Sequence, residues 1–274
     1  MKTIKAKKIT EVVAKLCIKA NCVLRADVLR KLKAAYVQEK NKKAKNALGS
    51  IIENAQVADR EMLPICQDTG LAIAFVELGQ QVRVEGNLKQ AIHKGISLGY
   101  KKGSFRESII KDPLKRGKSG YSGAIIHTDI VSGNKLKITV LPKGFGCENK
   151  SQLKMFNPTA SQEEIKKFII DTVKSIGADA CPPYVVGVGI GGAADYASFL
   201  AKKALLNDLY YISTSELSRD LLKEINNLHI GPMGLGGKAT CLAVNVETYP
   251  THIAGLPVAV NISCHALRSA TVIL

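Results

Sequence analysis

Residues 63–70, LPICQDTG, set a thiol (Cys66), a carboxamide (Gln67), a carboxylate (Asp68) and a hydroxyl (Thr69) in a row between Pro64 and Gly70. A thiol in such a loop can bind a metal or serve catalysis, and a carboxyl beside it can move a proton. Taken alone, the same residues make a turn, because Asp and Thr ahead of a glycine bond back to their own backbone. Three more cysteines lie among loop-forming residues: Cys147 in PKGFGCENKS, Cys181 in DACPPY and Cys264 in NISCHALRS. No C-x-x-C pair occurs, which disfavours a zinc ribbon, a thioredoxin-type site and a ferredoxin-type cluster run. A metal site would have to be assembled from distant loops; separate buried thiols are the alternative. Cys17, Cys22 and Cys241 stand in apolar periodic stretches and read as small core residues.

A glycine-rich motif competes for attention. Gly187-Val-Gly189-Ile-Gly191-Gly192 fits G-x-G-x-x-G between a strand and a helix, where a dinucleotide fingerprint belongs. The ribose-binding acid is misplaced, however: Asp208 comes before the next apolar stretch and Glu216 falls inside a later helix. Close packing of a helix on a strand is the better reading.

These residues need a scaffold, and 274 residues are enough to bury a sizeable core. Apolar residues make up 46%, without the run of about 18 that would span a bilayer. The start, MKTIKAKKITEVVAKL, lacks the apolar core of a secretory signal. Seven cysteines do not suggest a disulfide framework, so reduced thiols and a cytoplasmic setting are expected. Of the net charge of +16, eleven units lie in residues 1–46, where fourteen Lys and Arg face Glu11, Asp27 and Glu39. A basic stretch can bind nucleic acid. Here Ile9, Val12, Val13, Leu16 and Cys17 form a helical stripe, which makes the lysines its solvated back, and Tyr36 alone offers base stacking. Nucleic acid is therefore a distant alternative.

Periodicity predicts helices near 9–22, 26–40 and 46–60, then a strand at 71–78 and strand-like alternation through 80–86. A helix capped by Asn87 follows to 103. Two apolar runs, 123–131 and 135–144, joined by Ser132-Gly-Asn134, read as a hairpin. Ser161 and Glu164 form a capping box for a helix that Gly177 closes. A strand at 184–190, a helix at 193–205, a short apolar stretch LYYIS (209–213), a helix at 215–228 and apolar runs at 239–247 and 256–263 complete the chain. The expected fold is α+β, an irregular mixed α/β arrangement: a helical N-terminal region (1–60), then mixed sheets with packed helices (61–274).

LPICQDTG, ACPPY, GLGGK and HIAGLPVAVNISCHALR, in that order, resemble the alpha subunit of class I fumarate hydratase and of L-tartrate dehydratase, from about residue 46 to the end. The resemblance implies an iron-sulfur hydro-lyase whose catalytic region spans 61–274. It implies reversible hydration of fumarate to (S)-malate, a reaction of the tricarboxylic acid cycle, with L-tartrate dehydration as the alternative. The match makes Cys66, Cys181 and Cys264 the ligands of a 4Fe-4S cluster with one open iron, a Lewis acid for a substrate carboxylate and hydroxyl. Cys147 stands where relatives carry serine and is not made a ligand.

By the same resemblance Asp68 takes part in proton transfer, and Gln67 lies beside the open iron. Arg106 matches an arginine that forks onto a substrate carboxylate. Gly144, Asn149, Lys150 and Ser151 match a substrate-contacting turn whose amides and lysine suit an anion. His252 matches a substrate-contacting histidine; His93, His127, His229 and His265 receive no role, although His265 adjoins a ligand. The loop LKRGKSGYSGAIIH departs from the pattern, so substrate choice could differ there. Relatives draw further catalytic residues from a second region, which implies a separate beta subunit, a hetero-oligomer acting on a small dicarboxylate, and no membrane partner.

Overall fold

The structure, a computed structural model, describes residues 2–210 and 215–274. It divides into two compact units, one of Met1–Arg25, Ala55–Phe145 and Arg268–Leu274, the other of Ala26–Asn54 and Gly146–Leu267. Elements are numbered in chain order.

In the first unit, helix α1 (Ala6–Cys22) buries Ile9, Val13, Leu16, Cys17 and Ala20 and leaves its lysines on the opposite side, as the stripe predicts. It packs on α4 (Leu88–Lys102), whose Asn87 side chain accepts from the Gln90 N–H. The two helices approach closely because Gly95 and Gly99 lack side chains: a Cβ there would come within 2.7 Å of Val13 Cβ and 2.6 Å of the Ala14 carbonyl. Both cover a sheet of order β12 (Ala270–Ile273), β7 (Leu136–Lys143), β2 (Leu71–Gly79), β6 (Ile125–Val131). This order overturns the expected hairpin. β6 and β7 do not pair; β2 lies between them, parallel to β6 and antiparallel to β7. The physical reason is burial: β2 is apolar along most of its length and takes the central place, while β6 is largely exposed. Residues 132–135 then arch over the end of β2, where Gly79, Gln80 and Gln81 donate to Lys135, Val131 and Gly133. Smaller pairs, β1 (Lys2–Lys5) with β3 (Val82–Glu85) and β4 (Ile109–Asp112) with β5 (Arg116–Gly120), complete the unit.

The second unit is built on β10 (Cys241–Thr251), β9 (Tyr184–Gly192), β11 (Leu256–Ser263) and β8 (Gln152–Phe156), in that order. β9 and β10 are parallel; β11 runs against β9 and β8. Helices α6 (Gln162–Ile176) and α8 (Glu216–Asn226) bury Ile165, Ile169, Val173, Leu221 and Ile225 with Val186, Val188, Val244, Val258 and Val260 of one sheet face. The capping box of Ser161 with Glu164 is present. On the other face α7 (Ala194–Ala204) sets Ala197 and Ala201 against Ala259. Here the glycine motif finds its use: a Cβ on Gly187 or Gly189 would lie 2.0 and 2.1 Å from the Ala201 and Ala197 carbonyls. Helix α2 (Ala26–Gln38) and most of α3 (Lys42–Glu61) also belong to this unit. The stretch expected at 209–213 falls largely on residues 211–214, outside the described residues. Among the described residues no helix is long and apolar enough to cross a membrane.

Candidate active site

In the first unit, one end of the sheet collects most of the chemistry. Residues 66–70 lead directly into β2, and Leu71 pairs with Lys143 at the end of β7, so Gly144 stands beside this loop. Asp68 is fixed by the backbone on both oxygens: Oδ1 accepts the Gly70 N–H at 3.0 Å and Oδ2 the Phe145 N–H at 2.7 Å. Gly144 is needed here, because a Cβ would sit 3.1 Å from Asp68 Oδ2. Each carboxylate oxygen keeps another lone pair, so the group is oriented and still able to take a proton. Below the loop, the buried Tyr100 hydroxyl donates to the Thr69 carbonyl at 2.8 Å. Arg106 is exposed, yet it lines a small cavity with Gly70, Tyr100 and Tyr121, the last from segment 114–127.

One participant escaped the sequence reading. Arg268 is 3% exposed; its Nη2 donates to the Asp68 carbonyl at 2.8 Å and its Nη1 to Asn21 Oδ1 at 3.3 Å. Its Nε and the Thr69 hydroxyl are buried without a hydrogen-bond partner. A signal existed: an arginine in the apolar run CHALRSA, four residues after a candidate ligand, is costly to bury without a task.

In the second unit the sheet again gathers candidates at one end. Cys181 precedes β9, Cys264 follows β11, and Ser263 pairs with Val185. The Cys181 carbonyl accepts the His265 N–H at 3.4 Å and lies 3.1 Å from His265 Nδ1, so Cys181 and Cys264 stand in neighbouring loops. Residues 149–151 precede β8 at this same end: the buried Asn261 of β11 donates to Ser151 Oγ at 2.8 Å and to Glu148 Oε2 at 3.1 Å. Glu148 in turn pairs with Lys202, and Lys150 with Asp179 at 3.2 Å. Asn149 is exposed beside them. His252 is not brought to this group. It follows β10 at the far end of the sheet, past Thr251, which pairs with Gly192. Seven residues of β9 separate that end from Val185, roughly 23 Å at strand spacing.

The family resemblance calls for a cluster, and the donors can be tested for it. None of the seven cysteines is in a disulfide. Burial pushes the Cys17 and Cys241 thiols up to about 12, so they stay protonated near neutrality, and Cys22 and Cys147 are buried as well. Cys66, Cys181 and Cys264 are partly exposed and stand in loops at strand ends. Iron must reach its thiolate ligands, and these three cysteines are accessible where the other four are buried, so these three fit. Among the described residues no three His, Cys, Asp or Glu side chains are gathered around a single metal position. The fit rests on donor chemistry.

Over residues 10–273 the sequence matches the family described as fumarate hydratase (Fumerase). The chain belongs to that family. It is 38% identical over 275 residues to a provisionally named L(+)-tartrate dehydratase subunit alpha of Methanocaldococcus jannaschii, covering 96% of each chain. The L(+)-tartrate dehydratase alpha subunits of Escherichia coli O157:H7 and strain K12 are each 30% identical over 275 residues, covering 97% of this chain and 91% of theirs. Fumarate hydratases and tartrate dehydratases are hydro-lyases, so the Fumerase-family chain is an enzyme of that class.

Proposed function

We propose that the chain is the alpha subunit of a two-subunit hydro-lyase that hydrates fumarate reversibly to (S)-malate. The observation that carries this reading is the family match over residues 10–273. Cys66, Cys181 and Cys264 would hold a 4Fe-4S cluster, which when bound supplies a Lewis-acidic iron for the substrate's oxygens.

The chain's own residues have separable tasks. Asp68, aimed by the Gly70 and Phe145 N–H groups, moves the proton of the water that is added or removed. Gln67 and Gly144 flank it. Arg106 binds one carboxylate of the dicarboxylate, with Lys150, Asn149 and Ser151 offering a cation and polar groups for anionic oxygens. The resemblance also gives His252 a substrate contact, a role it could take only apart from the Cys181 end, which lies about 23 Å away along β9.

Dehydration of L-tartrate is the second reading, and the names of the relatives favour it. Tartrate carries one more hydroxyl than malate, so a site for it needs one more polar partner, and segment 114–127, whose Tyr121 lines one cavity with Arg106, is a place to supply it. A beta subunit would complete the enzyme, in keeping with relatives named as alpha subunits, and a cytoplasmic, reducing setting suits the thiols.

The test is anaerobic co-expression with the neighbouring small subunit, followed by assays on fumarate and L-tartrate side by side. A brown protein that air bleaches and that turns over one of the two is expected. A protein without iron after reconstitution, or one inert to both substrates when loaded, would sink the reading.

A further inference from the structure

The loop carrying Cys181 is held at three successive residues. Asp179 Oδ2 accepts from Lys150 Nζ at 3.2 Å, the Ala180 carbonyl accepts from the buried Cys147 thiol at 3.5 Å, and the Cys181 carbonyl is bound by His265. Two of these clamps come from residues 147–150, so turn and loop behave as one piece. Cys181 itself sits at φ +56°, a left-handed conformation that a side-chain-bearing residue keeps only when its surroundings enforce it. Cys147, left without a role by the sequence, thereby has one as a positioning residue.

The clamps differ in exposure. Cys147 is 7% exposed, whereas the side chains of Lys150 and Asp179 are 32% and 71% exposed. An ion pair this open is worth at most about a fivefold change in an equilibrium. An incoming anion of higher charge can therefore replace it.

We propose that Asp179 is the resident anion of Lys150, which a dicarboxylate displaces on binding, and that this exchange releases one of the clamps on the Cys181 loop. The inference rests on the reading of Lys150 as a substrate-binding residue. Asp179 then sets affinity rather than chemistry. A dicarboxylate reaching Lys150 meets the like charge of Asp179 and binds once that side chain turns into solvent, where its exposure lets it go. A neutral ligand gains nothing at the ammonium and leaves the pair intact, so the exchange selects for charge. The Cys147 and His265 contacts remain and keep Cys181 in place while its loop loosens.

Alkylation of Cys181 by iodoacetamide in the metal-free chain, followed by peptide mass spectrometry, reads the clamp without any turnover. Succinate should raise the alkylation rate of Cys181 severalfold, while succinamide, or sodium chloride at matched ionic strength, should leave it unchanged. Asp179→Asn should react at the raised rate with or without succinate. In the assembled enzyme the same variant should lower KM by up to about fivefold with kcat unchanged. A merely structural role would instead move kcat or the melting temperature. An Asp179→Asn chain that alkylates and responds like the native one, or an assembled variant with unchanged or raised KM, overturns the proposal. A chain that never takes up iron but whose Cys181 still responds to succinate supports it while removing the cluster reading.

Discussion

Arg268 Nη2 donates to the backbone carbonyl of Asp68 at 2.8 Å, across 200 positions of sequence. The guanidinium supports the loop from beneath and leaves the carboxylate of Asp68 to the Gly70 and Phe145 amides. Replacing Arg268 by Met removes a buried charge-assisted donor and should cost about 1.5–3 kcal/mol of stability. It should also lower kcat, because Asp68 loses its fixed position. Lysine reaches one of the two acceptors, Asp68 O or Asn21 Oδ1, and should recover part of both effects. Thermal melts and steady-state kinetics on the three proteins check this; equal kcat in all of them would remove Arg268 from the support of Asp68.

The cysteines should separate cleanly on substitution. Cys66→Ser, Cys181→Ser and Cys264→Ser should each abolish the visible absorbance of a reconstituted cluster and leave no detectable turnover. Cys147→Ser should keep both, because a hydroxyl can still donate to the Ala180 carbonyl. Iron and sulfide analysis is the direct measurement. Loss of iron in Cys147→Ser alone would reverse the ligand assignment.

Glu39 gives the second unit a pH dependence with a definite sign. Burial pushes its carboxyl up, but the N–H groups of Asn41, Lys238 and Lys40 and the charge of Lys238 outweigh it and hold it below the usual carboxylate range. A depressed carboxyl contributes stability that is fully present above the pKa of the unfolded chain and is lost as pH falls through the folded value. Glu39→Gln should therefore lower stability by about 1–3 kcal/mol near neutrality. The difference from the native protein should shrink toward acid pH. Parallel melts of the two proteins across that range would test it, and a gap that widens on acidification would refute the assignment. The GLGGK motif gains a role here: a Cβ at Gly237 would lie 2.5 Å from Glu39 Oε2, so the glycine lets Lys238 N–H reach the carboxylate.

Gly189 separates packing from nucleotide binding. Alanine there would place its Cβ 2.1 Å from the Ala197 carbonyl, so α7 must move off the sheet. The expected cost is about 1–3 kcal/mol, the usual range for overpacking. No dinucleotide should protect the native chain in the same melts; protection by NAD would revive the fingerprint reading.

What could be read from sequence alone follows the range of the interaction. The Asn87 cap and the Ser161 capping box depend on residues three apart, and both are present. The glycines at 187 and 189 were legible as close packing because the strand and helix they join are adjacent in sequence. The placement of β2 between β6 and β7 was not legible: Ser132-Gly-Asn134 is a fair hairpin turn, and only competition for the buried central position decides against it. The same holds for the site. Cysteines in turn-forming stretches announce themselves locally, whereas Arg268 under Asp68 and Asn261 beneath Ser151 are set by which strand ends come together. Long-range pairs leave no periodicity to find.

His252 tests how far the site extends beyond the cysteines. It is exposed, its Nδ1 accepts the Ala254 N–H at 3.1 Å, and it lies at the opposite end of the sheet from Cys264 in its own unit. A residue about 23 Å from the candidate ligands by strand spacing has no part in holding iron. His252→Ala should therefore bind as much iron as the native chain and show the same visible spectrum. If His252 contacts the substrate carboxylate, losing that charge-assisted bond should reduce kcat/KM by roughly tenfold to a hundredfold. Iron content and kinetics measured on one preparation distinguish the two tasks. A variant that loses iron would contradict the separation seen across β9, and one with full iron and unchanged kcat/KM would remove His252 from the substrate contacts.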